Sequence, residues 1–260
     1  MADLNDELLA RVSELMARAE RGELTYTHFL TPREQKILAD RMGGALSTAL
    51  PLGGYADAER KRLYFLPPYL AELEEPYRSE AIAQMTSESL CAVSIKASGY
   101  RSLSHRDFLG AILHLGVERD RIGDLCLLSP FEAVLFCDRL MAGFFGESLT
   151  RVGSDAVRVS PFLPPEGFDG GKQYLPVSDT VASPRADAVV AALANLSRER
   201  AQALFREGRV EIDYEPEEKY DRPVAEGSVI VIRGVGKFTL RALSDKTRKG
   251  RYRLLADKHV

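Results

Sequence analysis

The sequence predicts an α+β protein with three parts: a mostly helical N-terminal region with a β-hairpin, a central ferredoxin-like βαββαβ domain, and a C-terminal two-helix hairpin with a small sheet. Three observations lead there. Between residues 90 and 160 the apolar period switches in the order strand, helix, strand, strand, helix, strand. Two short, separately capped helical segments follow one another between Ser183 and Gly208. Three strand-like runs then lie between residues 210 and 243, with Glu226-Gly227 marking a turn. The expected parts are residues 1–80, 81–160, a linker over 161–180, and 181–260.

Taken in order, Leu8, Leu9, Val12, Leu15 and Met16 fall on one side of a helix over residues 3–21. Thr31-Pro32-Arg33-Glu34 is a capping box with proline at the first helical position, and Gly43-Gly44 ends the helix it opens. Strands are expected over 45–52 and 63–66, flanking a loop that begins with Gly53-Gly54 and ends with Arg60-Lys61-Arg62, beside an exposed Tyr55. In the central part, strands are expected over 90–96, 124–128, 133–137 and 156–160, with helices over 104–115 and 138–148. Ser104 is the N-cap of the first of these helices, and Asp107 reaches back to it from the third position. His105 and Arg106 then point outward at a positive helix end. They are read either as incidental surface residues or, with Arg119, Arg121, Arg151 and the Arg60-Lys61-Arg62 run, as a second anion contact. Pro161, Pro164, Pro165 and Pro176 gather with Gly167, Gly170 and Gly171 into a semi-rigid linker.

In the C-terminal part, Ser183 followed by Pro184 is expected to start a helix whose buried stripe is Val189, Val190 and Leu193, ending near Asn195. Ser197 caps the next helix, which buries Ala201, Leu204 and Phe205 and stops at Gly208. On it Arg198, Gln202 and Arg206 recur every four residues, with Arg209 close to the same line. Arg198 and Arg200 occupy the first turn, where the helix dipole favours acids, so an added phosphate would relieve the conflict. The candidate RNA-binding residues are Arg185, Arg198, Arg200, Gln202, Arg206, Arg209 and Lys237.

Composition narrows the class further. A chain of 260 residues with 45% hydrophobic content can fill a real core. Its apolar runs are too short to cross a bilayer and its first helix is charged, so a soluble, cytoplasmic chain without membrane insertion is expected. Cys91, Cys126 and Cys137 lie in apolar runs and read as buried thiols. The four histidines have no metal-ligand spacing, so neither metal nor cofactor is expected. The net charge of −3 is uneven: 16 basic and 12 acidic residues from Val181 onward give +4, leaving 19 against 26, or −7, before it. The run Lys246-Thr247-Arg248-Lys249 adds to this basic end as a polyanion contact or a solvated face.

The pieces Arg185-Ala186-Asp187, Leu196-Ser197-Arg198-Glu199-Arg200-Ala201 and Gly208-Arg209-Val210 resemble the ribosomal-protein S-four-type RNA-binding domain. Upstream, Leu30-Thr31-Pro32-Arg33-Glu34-Gln35, Gly53-Gly54-Tyr55, Ser104-His105-Arg106-Asp107-Phe108-Leu109-Gly110-Ala111, Ile122-Gly123-Asp124 and Leu149-Thr150-Arg151-Val152-Gly153 resemble, in order, the YlmH family of bacterial RNA-binding proteins. The resemblance implies a non-catalytic protein that engages the ribosomal large subunit carrying peptidyl-tRNA during quality control of stalled translation. Its partner would be tRNA or ribosomal RNA, with no small-molecule substrate, and a monomer is expected. The family is also linked to cell division through its gene neighbourhood. Two departures stand out: Glu215, Glu217 and Glu218 make one loop acidic, and Ala186 replaces a leucine common at that place. Two rival readings are an RNA-modifying enzyme of pseudouridine-synthase type, with Asp107 as its aspartate, and a protein-interaction scaffold using the acidic N-terminal half.

Overall fold

The capped segments read from the sequence become helices with their local causes intact. In the computed structural model, residues 2–246 and 250–259 are described, and the chain forms two compact units, 1–171 and 172–260. The first opens with α1 (Ala2–Glu20), β1 (Thr25–Tyr26), α2 (Pro32–Met42), β2 (Leu50–Leu52) and β3 (Arg62–Phe65). At α2 the capping box is complete: Thr31 Oγ1 accepts from Glu34 N at 3.2 Å and Glu34 Oε2 accepts from Thr31 N at 2.7 Å. The strand expected over 45–52 shrinks to its last three residues, because the glycine pair leaving α2 winds into a 3₁₀ turn over Gly43–Leu46. Strands β1, β3 and β2 pair antiparallel in that order, and Val12, Leu38, Leu63 and Phe65 bury the helices against them.

The unit continues with α3 (Pro68–Ala71), α4 (Tyr77–Ser89), β4 (Leu90–Ala97), α5 (His105–His114), β5 (Ile122–Ser129), β6 (Glu132–Asp138), α6 (Met141–Ser148), β7 (Arg151–Val152) and β8 (Asp155–Phe162). No helix was expected where α4 lies, since its sequence carries no clean apolar stripe. The sheet order is β5-β6-β4-β8-β7 with every neighbour antiparallel. Without the two-residue β7, the four long strands stand second, third, first, fourth, as two interleaved βαβ repeats require. Helices α5 and α6 cover one face through Phe108, Ile112 and Phe145 against Val93, Ile95 and Leu135. The other face carries Leu90, Ala92, Val134 and Phe136 under Phe29 and the half-buried Tyr55 and Phe168. With both faces covered, β4 and β6 read as nearly continuous apolar runs.

The second unit contains β9 (Tyr174–Val181), α7 (Ala186–Ala194), α8 (Arg198–Arg206), β10 (Val210–Ile212), β11 (Glu215–Pro216), β12 (Val229–Ile232), β13 (Gly236–Lys246) and β14 (Tyr252–His259). These strands make one antiparallel sheet in the order β11-β10-β12-β13-β14-β9. Much of the expected linker is therefore strand. Residues 174–181 pair with 252–259 along their full length, a non-local match that no local period reveals. As an edge strand, β9 accommodates Pro176, whose missing N–H need not serve a ladder. Val189, Val190, Leu193 and Phe205 of the helical hairpin bury against Ile230, Ile232, Phe238, Leu240 and Leu254 of the sheet. Of the basic run near the end, Thr247, Arg248 and Lys249 lie outside the described residues.

Two arginines expected in the second anion contact are instead structural. Arg62 is fully buried, its guanidinium over the Phe29 ring at 4.5 Å and the Tyr26 ring at 5.0 Å. It donates to Ser89 O at 2.8 Å and to Asp138 Oδ2 at 2.9 Å. Arg60 is also buried and donates to the carbonyls of Ile122, Phe29 and Arg119. The loop before it is held by Asp124, which accepts from Tyr55 Oη, Glu59 N and Arg60 N. Tyr55 is thus half-buried rather than exposed, and burial followed by the Asp124 charge pushes its hydroxyl pKa up. Basic residues in a surface-like sequence have been recruited to satisfy carbonyls and a carboxylate at strand ends. Replacing Arg62 by methionine should cost about 3–5 kcal/mol in urea unfolding, because Asp138 is left buried without its main partner. Combining it with Asp138→Asn should recover part of that loss.

Candidate nucleic-acid interface

Helix α7 starts later than its sequence suggested. Arg185, not Ser183, is the N-cap, and Ser183 Oγ is buried with no hydrogen-bond partner among the described residues. The first-turn N–H groups are satisfied from far along the chain: Ala186 N donates to Arg222 O at 2.9 Å and Asp187 N to Tyr220 O at 2.8 Å. At the other end Asn195 takes the left-handed conformation at φ 53° and closes α7. Ser197 Oγ accepts from Arg200 N, as its sequence position implies, and opens α8. The short link folds the two helices into a hairpin.

At the start of α7 sits Asp187, fully buried and not singled out by the sequence reading. Its carboxylate accepts from Arg198 Nε at 3.0 Å and Nη2 at 2.9 Å, from Gln202 Nε2 at 2.8 Å, and from Arg185 Nε and Nη2 at 3.3 and 3.5 Å. Burial raises its pKa, but the bonds from Arg198, Gln202 and Arg185 outweigh that and hold it below the usual carboxylate range. The anion expected near Arg198 is therefore supplied in part by the chain itself. Each arginine is gripped along its Nε edge only. The side chains of Arg198 and Arg185 remain 46% and 40% exposed. A guanidinium has five N–H donors, so Arg198 keeps three on its outer edge. Besides its place in the Arg185-Ala186-Asp187 run, the signal for Asp187 was an acid amid Ala186, Ala188, Val189 and Val190, where only a paired carboxylate is tolerated.

The other candidates divide by environment. Arg200 and Arg206 are exposed on α8 with no side-chain partner among the described residues. Gln202 is occupied by Asp187. Arg209 points to the sheet, donating to Arg233 O at 2.7 Å and pairing with Glu207 at 3.4 Å. Gly234 permits this: it has φ +86°, and a Cβ there would meet Arg209 Nη2 at 2.9 Å. Lys237 lies 5.7 Å from the Tyr214 ring centroid. The loop expected to be acidic is turned partly inward, with Glu217 buried and accepting from Arg222 at 2.6 Å.

In the first unit, His105 and Arg106 are exposed at the start of α5, and Asp107 is engaged as the cap, accepting from Ser104 N at 2.8 Å. Arg151 is exposed and donates to Ser154 O, and Lys61 is half-buried beside β3. Arg119 donates to the carbonyls of Ile122 and Gly123, and Arg121 reaches Asp138 at 3.4 Å. Among the described residues no cluster of His, Cys, Asp and Glu could hold a metal, and no helix is long and apolar enough to cross a membrane.

Comparison with known proteins agrees with the motifs. Residues 89–163 match the family described as "Putative RNA-binding domain in YlmH". Over 241 residues, 90% of this chain and 87% of the relative, the sequence is 31% identical to Ribosome-associated protein quality control protein P2 of Bacillus subtilis (strain 168). The chain belongs to the YlmH family. A solved structure, Cell division protein ylmH from Streptococcus pneumoniae, shares 20% identity at a TM-score of 0.45, covering 65% of this chain and 92% of that one. The match to the family model falls in the first unit, over the sheet that begins with β4 and ends with β8. The paired arginines lie outside it, in the second unit of this YlmH-family chain.

Because Asp187 titrates below its unfolded value, its bonds stabilise fully above about pH 4 and are lost as pH falls through the folded pKa. Asp187→Asn should therefore cost about 2 kcal/mol at neutral pH in urea unfolding, allowing for the half-exposed arginines. The difference from the natural protein should shrink below about pH 4.

Proposed function

We propose that this protein is a non-catalytic RNA binder acting on the ribosomal large subunit that carries peptidyl-tRNA, in quality control of stalled translation. The observation that carries the reading is the buried Asp187, which fixes the Arg198 and Arg185 guanidinium planes while leaving their outer edges to solvent. Guanidinium edges held in place are suited to phosphate oxygens, since each can donate two parallel N–H bonds without first being ordered. Arg206 continues the line of Arg198 and Gln202 along α8, Arg200 adds an exposed charge in its first turn, and Lys237 and Arg209 add charge on the sheet side. The Bacillus subtilis relative, named as a ribosome-associated quality control protein, supports the setting. His105, Arg106, Lys61 and Arg151 remain candidates for a second, weaker RNA contact, whereas Arg60 and Arg62 do not. Structured tRNA or ribosomal RNA is the ligand, in the cytoplasm, and the protein acts as a monomer.

With about four phosphates neutralised, log affinity for ribosomal RNA should fall against log salt with a slope of roughly −3 to −4. Arg200→Ala with Arg206→Ala should make that slope shallower by about 2 while leaving the melting temperature in place. An unchanged slope would put the contact elsewhere. Asp187→Asn removes a negative charge yet should weaken RNA binding, because Arg198 and Arg185 lose their mount; tighter binding would show that net charge alone governs the face.

A further inference from the structure

Strands β4 and β6 place Cys91 directly opposite Cys137, with the two Sγ atoms 3.8 Å apart. The pair is asymmetric. Cys137 is fully buried, whereas Cys91, packed on the same helix-covered face of the sheet, is only partly buried and has Arg139 nearby. Hydrogen bonding to Cys137, aided by the positive charge of Arg139, holds the Cys91 thiol below its ordinary pKa against the effect of burial. The same contact, with burial, pushes Cys137 up. The third thiol, Cys126, is buried and has Tyr55 Oη as its neighbour at 3.7 Å rather than a second sulfur.

Reactive thiols are those with thiolate character and access, and reversible oxidation needs a second sulfur within reach. Cys91 meets the first condition and Cys137 the second. We propose that Cys91 is an oxidation site for hydroperoxides and that Cys137 resolves it, linking β4 to β6 by a reversible cross-strand disulfide. In the first step the Cys91 thiolate attacks a peroxide oxygen, the O–O bond breaks, and the other oxygen leaves as water or alcohol after taking a proton from solvent. Cys91 is then a sulfenic acid. In the second step the Cys137 sulfur attacks the Cys91 sulfur, the S–O bond breaks, and hydroxide leaves as water with the Cys137 proton. The two thiols supply the two electrons that reduce the peroxide.

Residues directly opposite in an antiparallel ladder hold their Cβ atoms about 4.5–5.5 Å apart, wider than the about 3.8 Å a relaxed disulfide prefers. The bond is consequently strained and readily reduced by thiols, a reversible mark rather than a structural staple. None of this depends on RNA binding.

The test treats the full chain with hydrogen peroxide, alkylates the remaining thiols and maps tryptic peptides by mass spectrometry. The expected product is a peptide pair joined through Cys91 and Cys137, lighter by two hydrogens and separated again by dithiothreitol, with Cys126 still alkylated. In Cys137→Ser, Cys91 should accumulate as a sulfenic acid that dimedone traps, while Cys91→Ser should give no dimedone adduct at Cys137. Oxidation of Cys126 ahead of Cys91, passage of Cys91 to sulfinate without a cross-link, or no modification at all would overturn the proposal. The map of the unsubstituted chain decides it even where a variant fails to fold.

Discussion

A carboxylate taken out of water must have its lone pairs occupied, and much of this molecule is arranged around meeting that demand. Asp187 draws in Arg185, Arg198 and Gln202; Asp138 holds Arg62 and reaches Arg121; Asp124 gathers Tyr55 and two backbone N–H groups. Asp155, buried at the start of β8, closes the turn after β4 by accepting from Ser98, Tyr100 and Arg101. Asp138, Asp124 and Asp155 tie together stretches more than 50 positions apart, and Asp187 joins the two helices of its hairpin. For the two that hold arginines, what differs is whether the cation is buried or half in solvent.

That difference separates structural arginines from those able to meet a ligand. Arg62 has its plane enclosed by two aromatic rings and spends its charge on Asp138, so nothing outside can reach it. Arg198 makes an equally good pair with Asp187 but does so at the surface, with about half of its side chain in water. A guanidinium fixed in this way has less conformational freedom to lose when it meets a phosphate. The carboxylate weakens the local positive charge and improves its geometry, and for planar, two-point recognition geometry is the scarcer quantity.

Where the cause of an element is local, it was legible. Both capping boxes, Thr31 with Glu34 and Ser104 with Asp107, have the partners their spacing implies, and Asn195 takes the left-handed turn that its place after an apolar stripe called for. The family was legible too, through short runs of residues kept in order along the chain. Strand β9 was not, because its pairing partner lies at the far end of the chain and its Pro176, after Pro161, Pro164 and Pro165, speaks for a linker. Ser183 misled for a related reason: serine before proline is a good local cap, yet the carbonyls of Tyr220 and Arg222 arrive from the loop before β12 and take over the first-turn N–H groups.

The sequence by itself determined the capped helices, the order of the long strands in the central sheet, the apolar stripes that bury them, and which residues carry positive charge. Only the tertiary structure decided which of those charges are available. A guanidinium binds whichever acceptor reaches it, and for Arg62 that acceptor is 76 positions away, for Arg198 it is 11, and for Arg200 and Arg206 none arrives among the described residues. Hydrogen bonds and ion pairs act over a few ångströms of space, and distance along the chain does not predict distance in space.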